Sequence, residues 1–155
     1  MVVAFRRLTK DDPEIAQAFA VLRDAFAGME GRIDPPSSLG AMTAADLGQS
    51  AETSEVWVAG DPVAGTVTLT PKDKVLYVGK LAVRDTRNGL GRALIGLAGE
   101  RAVALGYDWL ELQSRVELVE VHAVFKALGF TEVMRTTHAG YLRPTSITFR
   151  KTVVT

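Results

Sequence analysis

Six consecutive residues carry the strongest chemical signal in this chain: Arg87-Asn88-Gly89-Leu90-Gly91-Arg92. They follow a long apolar stretch of strand character, Val75 to Val83. They open a helical run whose apolar face is Leu90, Ala93, Leu94, Leu97, Ala98, Ala102 and Leu105. A glycine-rich turn opening a helix leaves several backbone N–H groups unpaired at the positive end of the helix dipole. That arrangement cradles a phosphate or pyrophosphate. Gly89 and Gly91 let a ligand approach the backbone where a Cβ would block it, and Arg87 and Arg92 add positive charge. The same residues also suit a tight strand-to-helix connection with solvated arginines, so their surroundings must decide. Two nucleotide motifs are excluded: the third glycine of a dinucleotide fingerprint falls at Leu94, and no Gly-Lys-Ser/Thr of a P-loop is present. A dinucleotide fold also places its glycine turn after the first strand, whereas three or four strands precede this one.

Other reactive side chains are few. His122 and His138 are the only histidines, too few for a histidine-based metal site, and the carboxylates show no ligand spacing, so no metal is expected. The chain has no cysteine, which excludes disulfides, a thiolate zinc cage and a covalent cysteine intermediate. Group transfer must then be direct or use another nucleophile. His122, alone on a helix ahead of Gly129, reads as a hydrogen-bonded packing residue rather than a base. Glu30 and Asp34 lie in a polar loop, where they either attract a cationic amine or are simply solvated.

The elements that must position these residues follow from periodicity and turn chemistry. Val2 to Leu8 reads as a strand, and Asp12-Pro13 as the cap and first residue of a helix with Ile15, Phe19, Leu22 and Phe26 on one face, ended by Gly28. Gly28 to Ser38 is a loop or lid rich in turn formers, and a short helix is expected around Thr43 to Gln49. Glu55 to Ala59 and Ala64 to Thr70 form a hairpin, and Val75 to Val83, with Lys80 its only charge, is a central strand. After the glycine turn and its helix, which Gly106 closes, come the strand Trp109 to Ser114 and the helix Val119 to Leu128. Strands Phe130 to Thr137 and Thr145 to Val153 end the chain. The order β-α-α-β-β-β-α-β-α-β-β describes one α/β domain, a mixed sheet with helices on both faces.

Composition narrows the class. At 155 residues and 47% apolar content the chain is long enough for one core, and residues 1–155 are expected to form a single domain. The formal net charge is zero, so no basic field holds a polyanion, and nucleic acid is not an expected partner. No secretory pattern or membrane-length apolar run is present, which points to a cytoplasmic protein without a membrane partner.

Three segments together, Leu81-Ala82-Val83, then Arg87-Asn88-Gly89-Leu90-Gly91-Arg92-Ala93-Leu94, then Phe125-Lys126-Ala127-Leu128-Gly129-Phe130, resemble the signature of the GNAT superfamily of acyl-CoA-dependent N-acyltransferases, with an element order that matches over nearly the whole chain. The resemblance implies a GNAT-like α/β fold with a mixed, mostly antiparallel and splayed sheet, in which the strands Val75 to Val83 and Trp109 to Ser114 diverge around the acyl-CoA arm. It implies acetyl-CoA as donor, paired along Leu81, Ala82 and Val83, with its pyrophosphate on the turn from Arg87 to Ala93 and Phe125 walling the thiol pocket. The expected partner is a small-molecule or peptide amine, attacking the thioester directly, and homodimerisation is compatible with the resemblance. Two departures stand out. Where the family has Gln or Arg at the first motif position this chain has Thr86, so either Arg87 takes that role from a loop one residue shorter or the role is lost. Where many relatives have a tyrosine that protonates the leaving thiolate, this chain has Phe125, and Leu118 replaces an asparagine; Tyr141, before the last strand, is the candidate catalytic substitute. A non-catalytic acyl-CoA-binding sensor is the alternative that Phe125 favours.

Overall fold

Apolar residues facing opposite ways on neighbouring strands divide the interior into two cores, one on each face of a single sheet. The computed structural model describes residues 3–153; Val2, expected to open the first strand, lies outside them. The elements are β1 (Phe5–Leu8), α1 (Ile15–Ala27), a 3-10 turn (Ser38–Ala41), α2 (Ala44–Ser50), β2 (Glu55–Ala59), β3 (Gly65–Pro71), β4 (Val75–Val83), α3 (Leu90–Leu105), β5 (Trp109–Arg115), α4 (Val119–Ala127), β6 (Thr131–Thr136) and β7 (Ser146–Thr152). The seven strands lie in the order β1-β2-β3-β4-β5-β7-β6. Every neighbouring pair is antiparallel except β4 and β5. The element order matches the expectation, β4 is central, and helices cover both faces.

On one face α1 and α2 bury Ala18, Val21, Leu22 and Leu47 against Val56, Val58 and Ala82. On the other, α3 buries Leu94, Ile95 and Ala98 against Val67, Leu69, Leu76, Val78 and Leu112, and Phe125 of α4 packs against the same cluster. The entry to α1 differs from the reading of Asp12-Pro13 as cap and first helical residue. Asp12 accepts from the N–H of Glu14 through Oδ1 (2.9 Å) and from that of Ile15 through its carbonyl (3.0 Å), so Pro13 and Glu14 form a lead-in turn and the helix begins at Ile15. A proline-set turn with its own hydrogen bonds competes with the first helical turn for the same residues. Thr43 caps α2 through a capping box with Asp46.

One irregularity reorganises the central strand. Thr66 pairs with Ala82 but Thr68 with Gly79, so β4 places two residues, Lys80 and Leu81, opposite the single Val67 of β3, and Lys80 takes φ +50° at the bulge. The alternation flips there: Leu76 and Val78 face the α3 core before it, Leu81 and Val83 after it, and Ala82 turns to the α1 core. A left-handed conformation costs a lysine about 1–2 kcal/mol, so the surrounding ladder must impose it.

Candidate functional site

The parallel partners β4 and β5 are in register for only three pairs, Val75 with Trp109, Leu76 with Leu110 and Tyr77 with Glu111. Beyond Tyr77 the nine-residue β4 continues to Val83 and β5 to Arg115 without pairing. β5 stays bonded to β7 throughout and β4 to β3, so the sheet forks and each arm shows one unpaired backbone edge. Open strand edges need partners, and an extended ligand with its own amides supplies them. The bulge lies on the β4 arm just past the fork.

At the open end of the fork, β4 runs into the glycine turn and α3. Gly89 caps the helix at φ +78°, which glycine adopts without cost. The Asn88 side chain accepts from the N–H of Leu90 at 3.1 Å, and the carbonyl of Gly89 from the N–H of Ala93 at 3.1 Å. Among the described residues no protein acceptor meets the N–H groups of Asn88, Gly89, Gly91 and Arg92. An ideal Cβ at Gly89 or Gly91 meets no atom within 4 Å, so the space over these amides is clear. The helix start is anchored at Gly65 of β3, where an added Cβ would lie 2.8 Å from Leu90 Cδ2 and 3.1 Å from Leu94 Cδ1. The turn is therefore a set of free donors on a fixed helix N-terminus, the arrangement that accepts an anion.

Arg87 pairs with a neighbouring carboxylate. Its N–H and its Nε both donate to Asp85 Oδ1, at 2.9 and 3.1 Å, and its side chain is 89% exposed. These bonds from the backbone and the guanidinium of Arg87 hold the Asp85 carboxyl below its ordinary range. Arg92, in the first turn of α3, instead lines a cavity of about 600 Å³ along the helix flank with Gly96, Leu128 and Lys151. A second cavity of about 390 Å³ lies on the other side of the turn, between Asn88, Gly89 and the β2–β3 hairpin at Gly60 and Asp61. Leu81 and Val83 lie on the open β4 arm facing the α3 core and Ala82 faces the α1 core, so the three expected cofactor-pairing residues share a strand with its edge free.

Phe125 is a packed aromatic, its ring 6.0 Å from that of Phe130 and 5.8 Å from that of Phe149. His122 is 8% exposed, with Nε2 at 2.8 Å from the carbonyl of Arg115 and its ring against Phe149, a structural role in agreement with the sequence. His138 is likewise engaged, with Nδ1 bonded to Thr145 Oγ1.

Tyr141 is engaged in a polar network that ties the loop after α1 across the end of the sheet. Its hydroxyl donates to Asp34 Oδ1 at 2.5 Å, and Arg143 donates to the Asp34 carbonyl at 3.2 Å. That bond to Asp34 raises the Tyr141 phenol above its ordinary range. Arg115, at the end of β5, donates to the carbonyls of Pro35 and Pro36, and Arg32 pairs with Glu120. Glu117 accepts from the N–H of Asp34 at 3.1 Å through Oε2, while its buried Oε1 has no partner among the described residues. The loop read as a lid is thus fastened beside the open end of the fork, with one carboxylate oxygen to spare. Asp34 belongs to this fastening. Neither Arg115 nor Glu117 was singled out in the sequence; their adjacency to a loop some 80 residues earlier has no local signature.

A scan against protein-family models gives no match, and no curated protein matches in sequence. Solved structures do match, over essentially the whole chain. The aminoglycoside 6'-acetyltransferase type Ii superposes with a TM-score of 0.79 at 16% identity, covering 98% of each chain. A protein described as a GNAT-family acetyltransferase from Desulfovibrio desulfuricans gives 0.74 at 20% identity, covering 99% of this chain and 100% of that one. The ribosomal-protein-S18-alanine N-acetyltransferase of Escherichia coli gives 0.72 at 17% identity, covering 99% and 96%. At these identities the likeness establishes the fold.

Proposed function

We propose that this chain, which has the GNAT fold, is an acyl-CoA-dependent N-acyltransferase of that superfamily that moves an acetyl group from acetyl-CoA to a primary amine of a small molecule or peptide. The observation that carries the reading is the junction of two features: a fork with open strand edges, and four unpartnered amides at the α3 N-terminus directly after the β4 arm. The pyrophosphate of the donor suits the amides of Asn88, Gly89, Gly91 and Arg92, with Arg92 supplying charge. Arg87, held by Asp85, contributes less than its place in the motif suggests. The amide-bearing arm of the donor suits the free edge along Leu81, Ala82 and Val83, and Phe125 walls the pocket.

In this reading the amine nitrogen attacks the thioester carbonyl directly, with which the absence of cysteine agrees. Proximity and backbone donors then carry most of the acceleration. We place the activity in the cytoplasm, on a single domain formed by residues 1–155.

The deciding experiment is calorimetric titration with acetyl-CoA followed by turnover against a panel of amines. Binding with turnover supports the enzyme. Binding without turnover supports a second reading, an acyl-CoA sensor, which Phe125 favours because it offers no proton to a leaving thiolate. No binding of acetyl-CoA or CoA refutes both.

A further inference from the structure

Of the three tyrosines in the chain, one stands at the fork itself. Tyr107 follows the C-terminus of α3, and the Tyr141 hydroxyl already donates a hydrogen bond to Asp34. Tyr77 is half of the last pair before β4 and β5 part. Its ring extends along β4 toward the opening and lies over Gly79, where an ideal Cβ would come within 3.1 Å of the ring; any side chain there would displace it. Lys72 Nζ sits 3.9 Å from the ring centroid. The phenol lies near the backbone N–H of Gln113, just beyond the fork on β5. Its own proton has no side-chain acceptor among the described residues: Glu111, whose charge acts on the phenol, bonds Arg150 at 2.9 Å instead. Burial, with the Glu111 charge adding to it, raises the Tyr77 phenol above its ordinary range, so it stays protonated at neutral pH.

The proposed donor binding leads to this hydroxyl. An arm that starts at the amides of residues 88–92 and runs back along β4 from Val83 to Gly79 covers four strand steps, roughly 13 Å. It can go no further, because the strands close at Tyr77. The thioester is thus delivered to the closed end, where Phe125 has no proton to give.

We propose that Tyr77 is a catalytic residue of the acyl transfer, its hydroxyl donating to the thioester sulfur as the carbon–sulfur bond breaks. The inference rests on the acyltransferase reading above. The amine lone pair forms the bond to the carbonyl carbon, and the sulfur leaves with the electron pair of its bond and takes the Tyr77 proton. The phenolate recovers a proton from the nitrogen through water, leaving amide and free thiol.

The test is Tyr77→Phe in the full chain, which deletes one oxygen and keeps the ring over Gly79. Three quantities are read in parent and variant: acetyl-CoA affinity by calorimetry, the thiol pKa of bound CoA from thiolate ultraviolet absorbance, and kcat with the best amine. Acetyl-CoA affinity should stay within about threefold. The bound thiol should titrate about one to two pH units higher in the variant, since the lost hydrogen bond favours the thiolate. The kcat should fall by about 10²-fold. A parent that binds and turns over, with a variant equal to it in thiol pKa and kcat, overturns the role of Tyr77 alone. A parent that does not bind acetyl-CoA overturns the acyltransferase reading and Tyr77 with it.

Discussion

Gly91→Val separates ligand binding from folding, because the structure gives the two effects opposite signs. Gly91 is the second residue of α3, its φ is not in the left-handed region, and an ideal Cβ there meets no protein atom within 4 Å. Valine is a better helix former than glycine, so the fold should be unchanged or stabilised by a few tenths of a kcal/mol. The branched side chain, however, stands over the free amides of Gly91 and Arg92. Hydrogen bonds to a charged group are worth about 1.5–3 kcal/mol each, so losing both to the pyrophosphate costs about 3–6 kcal/mol. That is a rise in the acetyl-CoA Kd of about 10²–10⁴-fold. Calorimetry with acetyl-CoA and differential scanning calorimetry of the apo protein read the two quantities separately. Affinity within threefold of the parent refutes the cradle, and a lowered Tm refutes the argument that the space over Gly91 is free. Gly89→Ala provides the contrast: its Cβ is also unobstructed, but φ +78° costs an L-residue about 1–2 kcal/mol, so here stability falls.

Glu55→Gln should destabilise the fold by about 2 kcal/mol: the 5% exposed carboxylate takes Arg101 in a fork at 2.8 and 2.7 Å and Trp57 Nε1 at 2.9 Å, and the usual 3–5 kcal/mol for breaking a buried pair is discounted because Arg101 and Arg7 keep solvent contact. The Arg101 hydrogen bonds, opposed by burial, lower the Glu55 pKa, so its stabilisation is complete above the unfolded value of about 4.3 and is lost as pH falls through the folded value; denaturant melts should show the parent–variant gap present at pH 7 and shrinking below about pH 4. Tyr141→Phe should leave kcat and acetyl-CoA affinity unchanged and raise the amine KM by about threefold to tenfold, since it loosens the loop that Asp34 fastens; a large fall in kcat in steady-state kinetics would instead make Tyr141 the proton donor. With an alkyl amine whose pKa is about 10.4, only about a thousandth is unprotonated at pH 7, so kcat/KM should climb as pH rises above neutrality; a flat profile with chemistry rate-limiting argues against attack by the free amine.

Much of this protein was legible in local sequence. The element order rests on periodicities of 2 and 3.6 and on turn residues, signals that adjacent residues carry among themselves, and the structure follows it apart from the entry to α1. The anion turn is equally local, since a strand, a glycine turn and a helix start suffice to free its amides. The role of Arg87 was not decided there: its neighbour Asp85 takes its backbone N–H and its Nε, and only the folded turn brings them together. The fork has no local signature, because the pairing of β4 and β5 stops at Tyr77 and Glu111 for reasons that reside in partners β3 and β7, far along the chain. The bulge at Lys80 reverses the facing of Leu81 to Val83 within a stretch that reads as one uninterrupted strand, since its register depends on β3. Tyr141, 107 residues from Asp34, is drawn into the loop fastening, while Tyr77, an ordinary strand residue by sequence, is left with a free proton at the fork. Periodicity sets what each segment becomes; which hydroxyl keeps an unused donor depends on the neighbours that chain closure brings to it, and closure is a property of the whole fold.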